Sequence, residues 1–90
     1  YMLASRKGGT IYTGMTGNIA HRIFEHRQSR GSNFTSKHSI KRLVWYEQHE
    51  TALDAIQREK NIKRYYRKWK IDLIETINPE WNDLYKTLNS

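Results

Sequence analysis

The sequence contains no cysteine, and this absence excludes both disulfide bonds and thiolate metal sites. Because structural disulfides belong to oxidising compartments, their exclusion favours a cytoplasmic protein. Long apolar runs are missing as well. The longest one, residues 43–46, has the length of a strand and falls far short of the roughly 18 residues that indicate a membrane span. We therefore expect no membrane partner.

Acidic residues are few relative to basic ones. Nine Asp and Glu stand against sixteen Lys and Arg, which gives a formal net charge of +7 and a pI of about 9.9. Such an excess favours a polyanionic partner, either nucleic acid or an acidic membrane surface. Nucleic acid is the better match because the basic residues are not confined to one amphipathic helix. A length of 90 residues with 37% hydrophobic content predicts one domain over residues 1–90.

The order of the predicted elements indicates a small α+β domain. Two strands, residues 1–4 and 10–15, flank a polar turn that ends in two glycines, which is a hairpin signal. A helix over residues 19–28 follows, with Asn18 as its N-cap, and a third strand lies within residues 39–48.

Three further helices are predicted after the third strand. The first covers residues 51–66 and begins with a Thr-x-x-Asp pattern that resembles a capping box. A shorter helix covers residues 69–77. Asn78 as N-cap and Pro79 as the first helical residue then begin the last helix. Its apolar stripe is formed by Trp81, Leu84, Tyr85 and Leu88.

The basic residues concentrate in two stretches, residues 22–42 and residues 58–70. The second stretch holds seven Lys and Arg, one acidic residue and three interleaved aromatic residues. This pattern suits phosphate contacts beside stacking surfaces, and a solvated helix face with core aromatics is the alternative. We predict nucleic-acid contacts by Arg27, Arg30, Lys37, Lys60, Lys63, Arg64 and Arg67.

Glu59 lies on the apolar stripe of its predicted helix, which consists of Ala52, Ala55, Ile56, Ile62 and Tyr66. It follows Ile56 by three residues and precedes Ile62 by three, so all three share one stripe. An ionised carboxylate facing a core is costly unless a cation or hydrogen-bond donors meet it. Two interpretations stay open. Glu59 is either an edge carboxylate paired with a neighbouring Lys or Arg, or a ligand of Mg²⁺, an ion that keeps several of its own waters.

Two more pairs of residues could carry chemistry. Arg22 and His26 are four residues apart and share a helix face, where they could hold a phosphate and manage a proton. Simple surface exposure is the alternative. Tyr1 and Tyr12 lie on neighbouring predicted strands, where tyrosine often serves packing alone. A phenol acts as a base only if nearby cations lower its pKa from about 10.

In combination, these residues resemble the GIY-YIG nuclease domain. The pattern consists of Tyr1, ten intervening residues, the run Tyr12-Thr13-Gly14, then Arg22 on a first helix and Glu59 on a later one. The resemblance covers essentially the whole chain and is strongest for small stand-alone bacterial members. The nuclease domain at the N-terminus of the nucleotide-excision-repair nuclease is similar as well. Those members resemble the segments Phe34-Thr35, Arg42-Leu43-Val44, Arg58-Glu59-Lys60 and Asn78-Pro79-Glu80-Trp81.

The resemblance implies a three-stranded antiparallel sheet flanked by helices, and a metal-dependent endonuclease acting on DNA, branched or damaged, in repair or recombination. It implies that Glu59 binds Mg²⁺ or Mn²⁺ and that Arg22 neutralises charge on the scissile phosphate. It further implies that Tyr12 helps to deprotonate the attacking water, that Tyr1 completes the hydrogen-bond network, and that His26 assists proton transfer or phosphate contact. A partner protein or a homodimer is expected to serve double-strand cleavage.

The chain departs from the family pattern in two places. The sequence starts at Tyr1, so the Gly-Ile part of the first motif is not in it. Met15 replaces a lysine that is common in the excision-repair nuclease, and Lys37 or Lys60 could supply that cation instead. Two alternatives to a nuclease stay open: a catalytically weak or inactive nucleic-acid-binding module of the same fold, and a structural protein with a basic surface.

Overall fold

The computed structural model of the chain describes residues 1–27 and 40–88. The strands are β1 (Met2–Ala4), β2 (Ile11–Thr13) and β3 (Arg42–Trp45). The helices are α1 (Ile19–Arg27), α2 (Ala52–Lys63), α3 (Arg67–Ile77) and α4 (Tyr85–Leu88). In the part of the chain so described, no helix has the length and apolar character needed to cross a membrane. The predicted α+β fold is confirmed.

The three strands form an antiparallel sheet in the order β2-β1-β3. Met2 pairs with Thr13 on one side and with Trp45 on the other, so the start of β1 meets the ends of β2 and β3. The register between β1 and β3 shifts after Met2, because β3 has one extra residue there, Val44. Such a β-bulge bends the strand. It leaves Val44 and Trp45 in the same core cluster.

Both faces of the sheet are covered by helices. The side chains at the start of the chain alternate between the two faces, as the period of a strand requires. On the α2–α3 face the buried residues are Met2, Ala4, Val44, Trp45, Ile62, Ile74 and Trp81. On the α1–α4 face they are Tyr1, Leu3, Ile23, Ile40 and Leu43. The sheet therefore carries Tyr1 on the face that α1 covers.

Two predicted N-caps fix the starts of α1 and α2. The backbone N–H of His21 donates to Oδ1 of Asn18 at 3.2 Å, and the N–H of Asp54 donates to Oγ1 of Thr51 at 3.1 Å. Each bond satisfies an N–H that the first turn of a helix leaves unpaired. The two helices therefore begin at defined positions, directly after the loops that border the site described below.

The last predicted helix is wrong over most of its length. Asn78 is the C-cap of α3 and not an N-cap, because its side chain is held by the backbone of β3 and of Asn82. Trp81 has a φ of 57°, which no right-handed helix accommodates. Trp81 also packs on the α2–α3 face, whereas the other three residues of the predicted stripe pack on the α1–α4 face. Only Tyr85–Leu88 is helical.

Residues 78–84 run instead along the outer edge of β3. The Asn78 side-chain amide donates to the carbonyl of Val44 at 3.0 Å. The N–H of Leu43 donates to Oδ1 of Asp83 at 3.2 Å, and the N–H of Leu84 donates to the carbonyl of Leu43 at 2.7 Å. This segment therefore satisfies backbone groups that β1 does not reach.

Candidate active site

A cleft of about 480 Å³ opens at the end of the sheet where β1 starts and where β2 and β3 end. Its walls are the β2–α1 loop, the β3–α2 loop and one face of α2. Tyr1 lines the cleft from the sheet, and Glu59 lines it from α2. Two of the predicted catalytic residues, far apart in sequence, thus border the same space.

Gly14 lets two tyrosine rings pack against the end of β2. Tyr1 and Gly14 exchange backbone hydrogen bonds of 2.9 and 3.0 Å. The rings of Tyr1 and Tyr12 lie with their centroids 6.3 Å apart, tilted by 43°. A Cβ at position 14 would be 2.7 Å from the Tyr1 hydroxyl oxygen and 3.1 Å from Cε1 of Tyr12. Glycine is therefore required here by the side chains that surround it.

Arg22 reaches from α1 to the Tyr1 hydroxyl. Its guanidinium donates a hydrogen bond to that phenol, which raises the pKa of Arg22 above its usual range. Burial raises the pKa of Tyr1; the bond from Arg22 opposes this shift, and the neighbouring Tyr12 adds to it. The Tyr1 phenol is consequently protonated at neutral pH. It is suited to hold a hydrogen bond and poorly suited to act as a base.

Glu59 is mostly buried, with 19% of its side chain exposed, and its Oε1 lies 3.1 Å from Nζ of Lys63. The pair with a neighbouring Lys, one of the two interpretations that the sequence left open, is therefore present. The predicted apolar stripe is only partly correct, because Ile56 and Tyr66 are exposed. The inward face of α2 instead includes Glu59 and Ile62, beside Ala55 and Arg58 in the cleft wall.

The metal-ligand role of Glu59 stays a prediction. Across residues 1–27 and 40–88, no group of three or more His, Asp or Glu side chains is placed to hold a metal ion. The protein shell around an ion at Glu59 would be thin. Mg²⁺ accepts such a shell because it retains waters and binds substrate phosphates.

The cleft wall contains three charged or titratable residues that were not among the predicted site residues: Glu47, His49 and Arg58. Glu47 lies in the β3–α2 loop, where its Oε2 is 2.7 Å from Nε2 of His49 and accepts a hydrogen bond of 3.0 Å from Nε of Arg58. Arg58 precedes Glu59 in the sequence, so this network supports the α2 turn that presents Glu59. The available signal was a charged loop directly after a buried strand, since such loops often carry function.

Two predicted nucleic-acid contacts on α2 and α3 have partners within the molecule. Lys63 pairs with Glu59. Arg67 donates through Nη2 to the carbonyls of Gly8 and Gly9, both at 2.7 Å, and so ties α3 to the β1–β2 turn. Lys60 and Arg64 are exposed.

The predicted contacts around α1 are only partly described. Arg27 forms an ion pair with Asp83, and its Cζ lies 4.8 Å from the ring centroid of Tyr85. His26 belongs to α1, one turn after Arg22, and its side chain lies outside the described part of the structure. Arg30, Lys37 and the segment Phe34-Thr35 lie outside the described residues as well.

The chain is similar in sequence to one known domain family and to several bacterial proteins. The GIY-YIG catalytic domain matches residues 1–72. A UPF0213 protein of Staphylococcus saprophyticus is 35% identical over 68 residues, which are 76% of this chain and 83% of the relative. UPF0213 proteins of Staphylococcus aureus strains N315 and Mu50 are 34% identical over 67 residues, 74% of this chain and 82% of theirs. No solved structure matches the chain. The matched residues include Tyr1, Tyr12, Arg22 and Glu59.

Proposed function

We propose that this chain, which belongs to the GIY-YIG family, is a divalent-metal-dependent endonuclease that hydrolyses phosphodiester bonds in DNA. The observation that carries the proposal is the shared cleft: Tyr1 and Glu59 line it, and Arg22 is hydrogen-bonded to Tyr1. A phosphate in that cleft would have the Tyr1 phenol on one wall and the Glu59 carboxylate on another, with the Arg22 guanidinium held on the Tyr1 hydroxyl. The net charge of +7 favours a polyanionic substrate.

We assign each side chain the role that the family resemblance implies. Arg22 neutralises negative charge that grows on the scissile phosphate. Tyr12 helps to take the proton from the attacking water, and His26 assists proton transfer or contacts the phosphate. Tyr1, whose pKa is raised mainly by burial, keeps its proton and orients its neighbours through hydrogen bonds.

Glu59 is the residue that holds Mg²⁺ or Mn²⁺ in this proposal. Its carboxylate borders the cleft, where it would hold the ion, and its Oε1 is paired with Lys63. When bound, the ion supplies positive charge beside the scissile phosphate and lowers the pKa of water. Lys63 is half exposed, so its ammonium could also contact a substrate phosphate beside Glu59.

The decisive experiment compares the wild type with Glu59→Gln, which keeps the side-chain shape and removes its charge. Cleavage of supercoiled plasmid and of branched DNA is measured with Mg²⁺, Mn²⁺ or EDTA, and DNA binding is followed in parallel. Branched DNA is included because the family resemblance implies repair or recombination. We expect cleavage to require the metal and to fall by about 100-fold or more in Glu59→Gln while binding persists.

Glu80→Gln is the matched control. Glu80 is an exposed carboxylate that pairs with Lys7 at the opposite end of the sheet from the cleft. Its substitution should leave cleavage unchanged. The opposite outcome is a wild type that cuts no substrate with either metal, while it and Glu59→Gln bind DNA equally and in a salt-sensitive way. That outcome would favour the alternative of a catalytically weak or inactive binding module.

A single cleft of this kind cuts one strand at a time. We therefore expect nicked plasmid as the first product. A homodimer or a partner protein would have to supply a second site for double-strand breaks.

A further inference from the structure

Two aromatic rings are exposed side by side where α2 gives way to α3. Tyr66 is 73% exposed and Trp69 is 51% exposed, and their ring centroids lie 4.8 Å apart. The other two tryptophans, Trp45 and Trp81, are buried in the core. The two rings meet edge to face at 73°, so each keeps exposed apolar surface that the fold itself does not use.

The sequence stretch that contains these rings is strongly basic. Residues 60–70 contain six Lys and Arg and no acidic residue. Lys60, Arg64 and Lys68, all exposed, border the aromatic pair in sequence. Exposed aromatic rings in a basic stretch of the chain fit a partner that combines phosphates with exposed bases. Bases in a duplex are already stacked on one another, so the matching partner is an unpaired nucleotide.

Contacts connect this surface to the cleft. Arg58 lines the cleft, and its Nη1 donates to the hydroxyl of Tyr65 at 3.2 Å. The Tyr65 ring packs edge-on against Trp69, with centroids 5.7 Å apart. Tyr66 follows Glu59 by seven positions, of which four lie within α2 and span about 6 Å at helical rise. The other three lie beyond the end of α2 and add at most about 10 Å. Tyr66 is therefore within about five stacked nucleotides of Glu59, at 3.4 Å each.

We propose that Tyr66 and Trp69 form a stacking platform for unpaired bases of DNA, and that the preferred substrate carries a single-stranded segment a few nucleotides from the scissile bond. The link to the scissile bond rests on the proposed function. The stacking itself does not, because it requires neither metal nor cleavage.

The test measures binding in EDTA, so that no DNA is cut. A blunt duplex is compared with the same duplex carrying a single-stranded tail, using the wild type, Tyr66→Ala and Trp69→Leu. We expect the tail to strengthen binding by the wild type by about tenfold or more, since stacking of one base contributes about 1–3 kcal/mol. Both variants should lose that preference and bind the blunt duplex as the wild type does.

Two controls separate stacking from charge and from damage to the fold. Phe24→Ala removes another exposed aromatic ring, 44% exposed on α1, and should retain the preference for the tail. Arg64→Ala should weaken binding to both DNAs and reduce the salt slope by about 1. Tailed DNA should also quench tryptophan fluorescence, because Trp69 is the exposed tryptophan, and Trp69→Leu should abolish that quenching.

The possible failures are distinguishable. Equal binding of tailed and blunt DNA by the wild type, or an equal loss for both DNAs in Tyr66→Ala, would overturn the platform even if the protein cuts DNA. Tail preference that depends on Tyr66 in a protein that cuts nothing would uphold the platform and reject the nuclease. Far-UV circular dichroism of each variant confirms that it is folded.

Discussion

At the scale of single residues, Gly14 controls the geometry of the tyrosine pair. The Tyr-x-Gly motif is often treated as a sequence signature, and the structure supplies its physical reason. The position of a Cβ at residue 14 is already occupied by the Tyr1 hydroxyl and approached by the Tyr12 ring. Gly14 thereby sets how close the Tyr1 phenol comes to β2 and, through the Tyr1 hydroxyl, where the Arg22 guanidinium is held.

Gly14→Ala should displace the Tyr1 ring, which lines the cleft, or the Tyr12 ring beside it. Overpacking of this kind costs about 1–3 kcal/mol in the free energy of unfolding, and a displacement of about 1 Å in a reacting group can cost roughly 100-fold in rate. Urea denaturation and plasmid cleavage measure the two effects. Gly17→Ala is the control for stability, because a Cβ there meets nothing within 4 Å. Wild-type cleavage by Gly14→Ala would contradict this role.

Because the pKa of Tyr1 is raised in the folded state, the free energy of unfolding should fall at alkaline pH. A group that binds its proton more tightly in the folded state stabilises the fold fully below its unfolded pKa, here 10.0. That contribution is lost as the pH rises through the higher folded pKa. Tyr1→Phe cannot ionise, so the difference in unfolding free energy between the wild type and Tyr1→Phe should narrow above about pH 10. Urea denaturation from about pH 8 to about pH 11 tests this, and a constant difference would contradict it.

At the scale of secondary-structure elements, local sequence signals predicted the described strands and helices up to residue 77 and failed after it. The hairpin, the third strand and the caps at Asn18 and Thr51 follow from turn and capping chemistry that acts over a few residues. Asn78-Pro79 carries an equally good local signal for a helix start. No helix starts there because the Asn78 side chain bonds to the carbonyl of Val44 in β3, 34 residues away in the sequence.

The site shows the same division between local and distant information. The types and spacing of Tyr1, Tyr12 and Arg22 were readable because a hairpin and one helix bring them together. The stripe on α2 was extended too far, since the helix ends at Lys63 and Tyr66 faces solvent. The Glu47–Arg58 contact joins a loop to a helix through side chains alone. No periodicity of the sequence encodes such a contact.

At the scale of the whole molecule, the residues after position 72 complete both cores. Trp81 is fully buried on the α2–α3 face, and Leu84 packs on the α1–α4 face. The family match ends at residue 72. We propose that the domain nevertheless extends over residues 1–90, because neither face of the sheet is closed without this final segment.

A chain ending at residue 72 should therefore retain Tyr1, Tyr12, Arg22 and Glu59 and still fail to behave as a stable domain. Removing Trp81 from the core costs about 3–5 kcal/mol by analogy with truncation of large buried aromatics, a large part of the roughly 5–15 kcal/mol typical of small proteins. Urea denaturation and light scattering of the shortened chain, compared with the full chain, test this. A shortened chain that unfolds at the same urea concentration and stays dispersed would contradict it.

The segment along β3 has a further consequence. An open sheet has two lateral strands, and an unpaired one is a template on which another polypeptide can add a strand, the first step toward aggregation. Here the N–H of Leu43 donates to Asp83, and its carbonyl accepts from Leu84. The carbonyl of Val44 accepts from Asn78. Residues 78–84 thus protect the β3 edge from strand addition, and losing them would expose that edge to self-association.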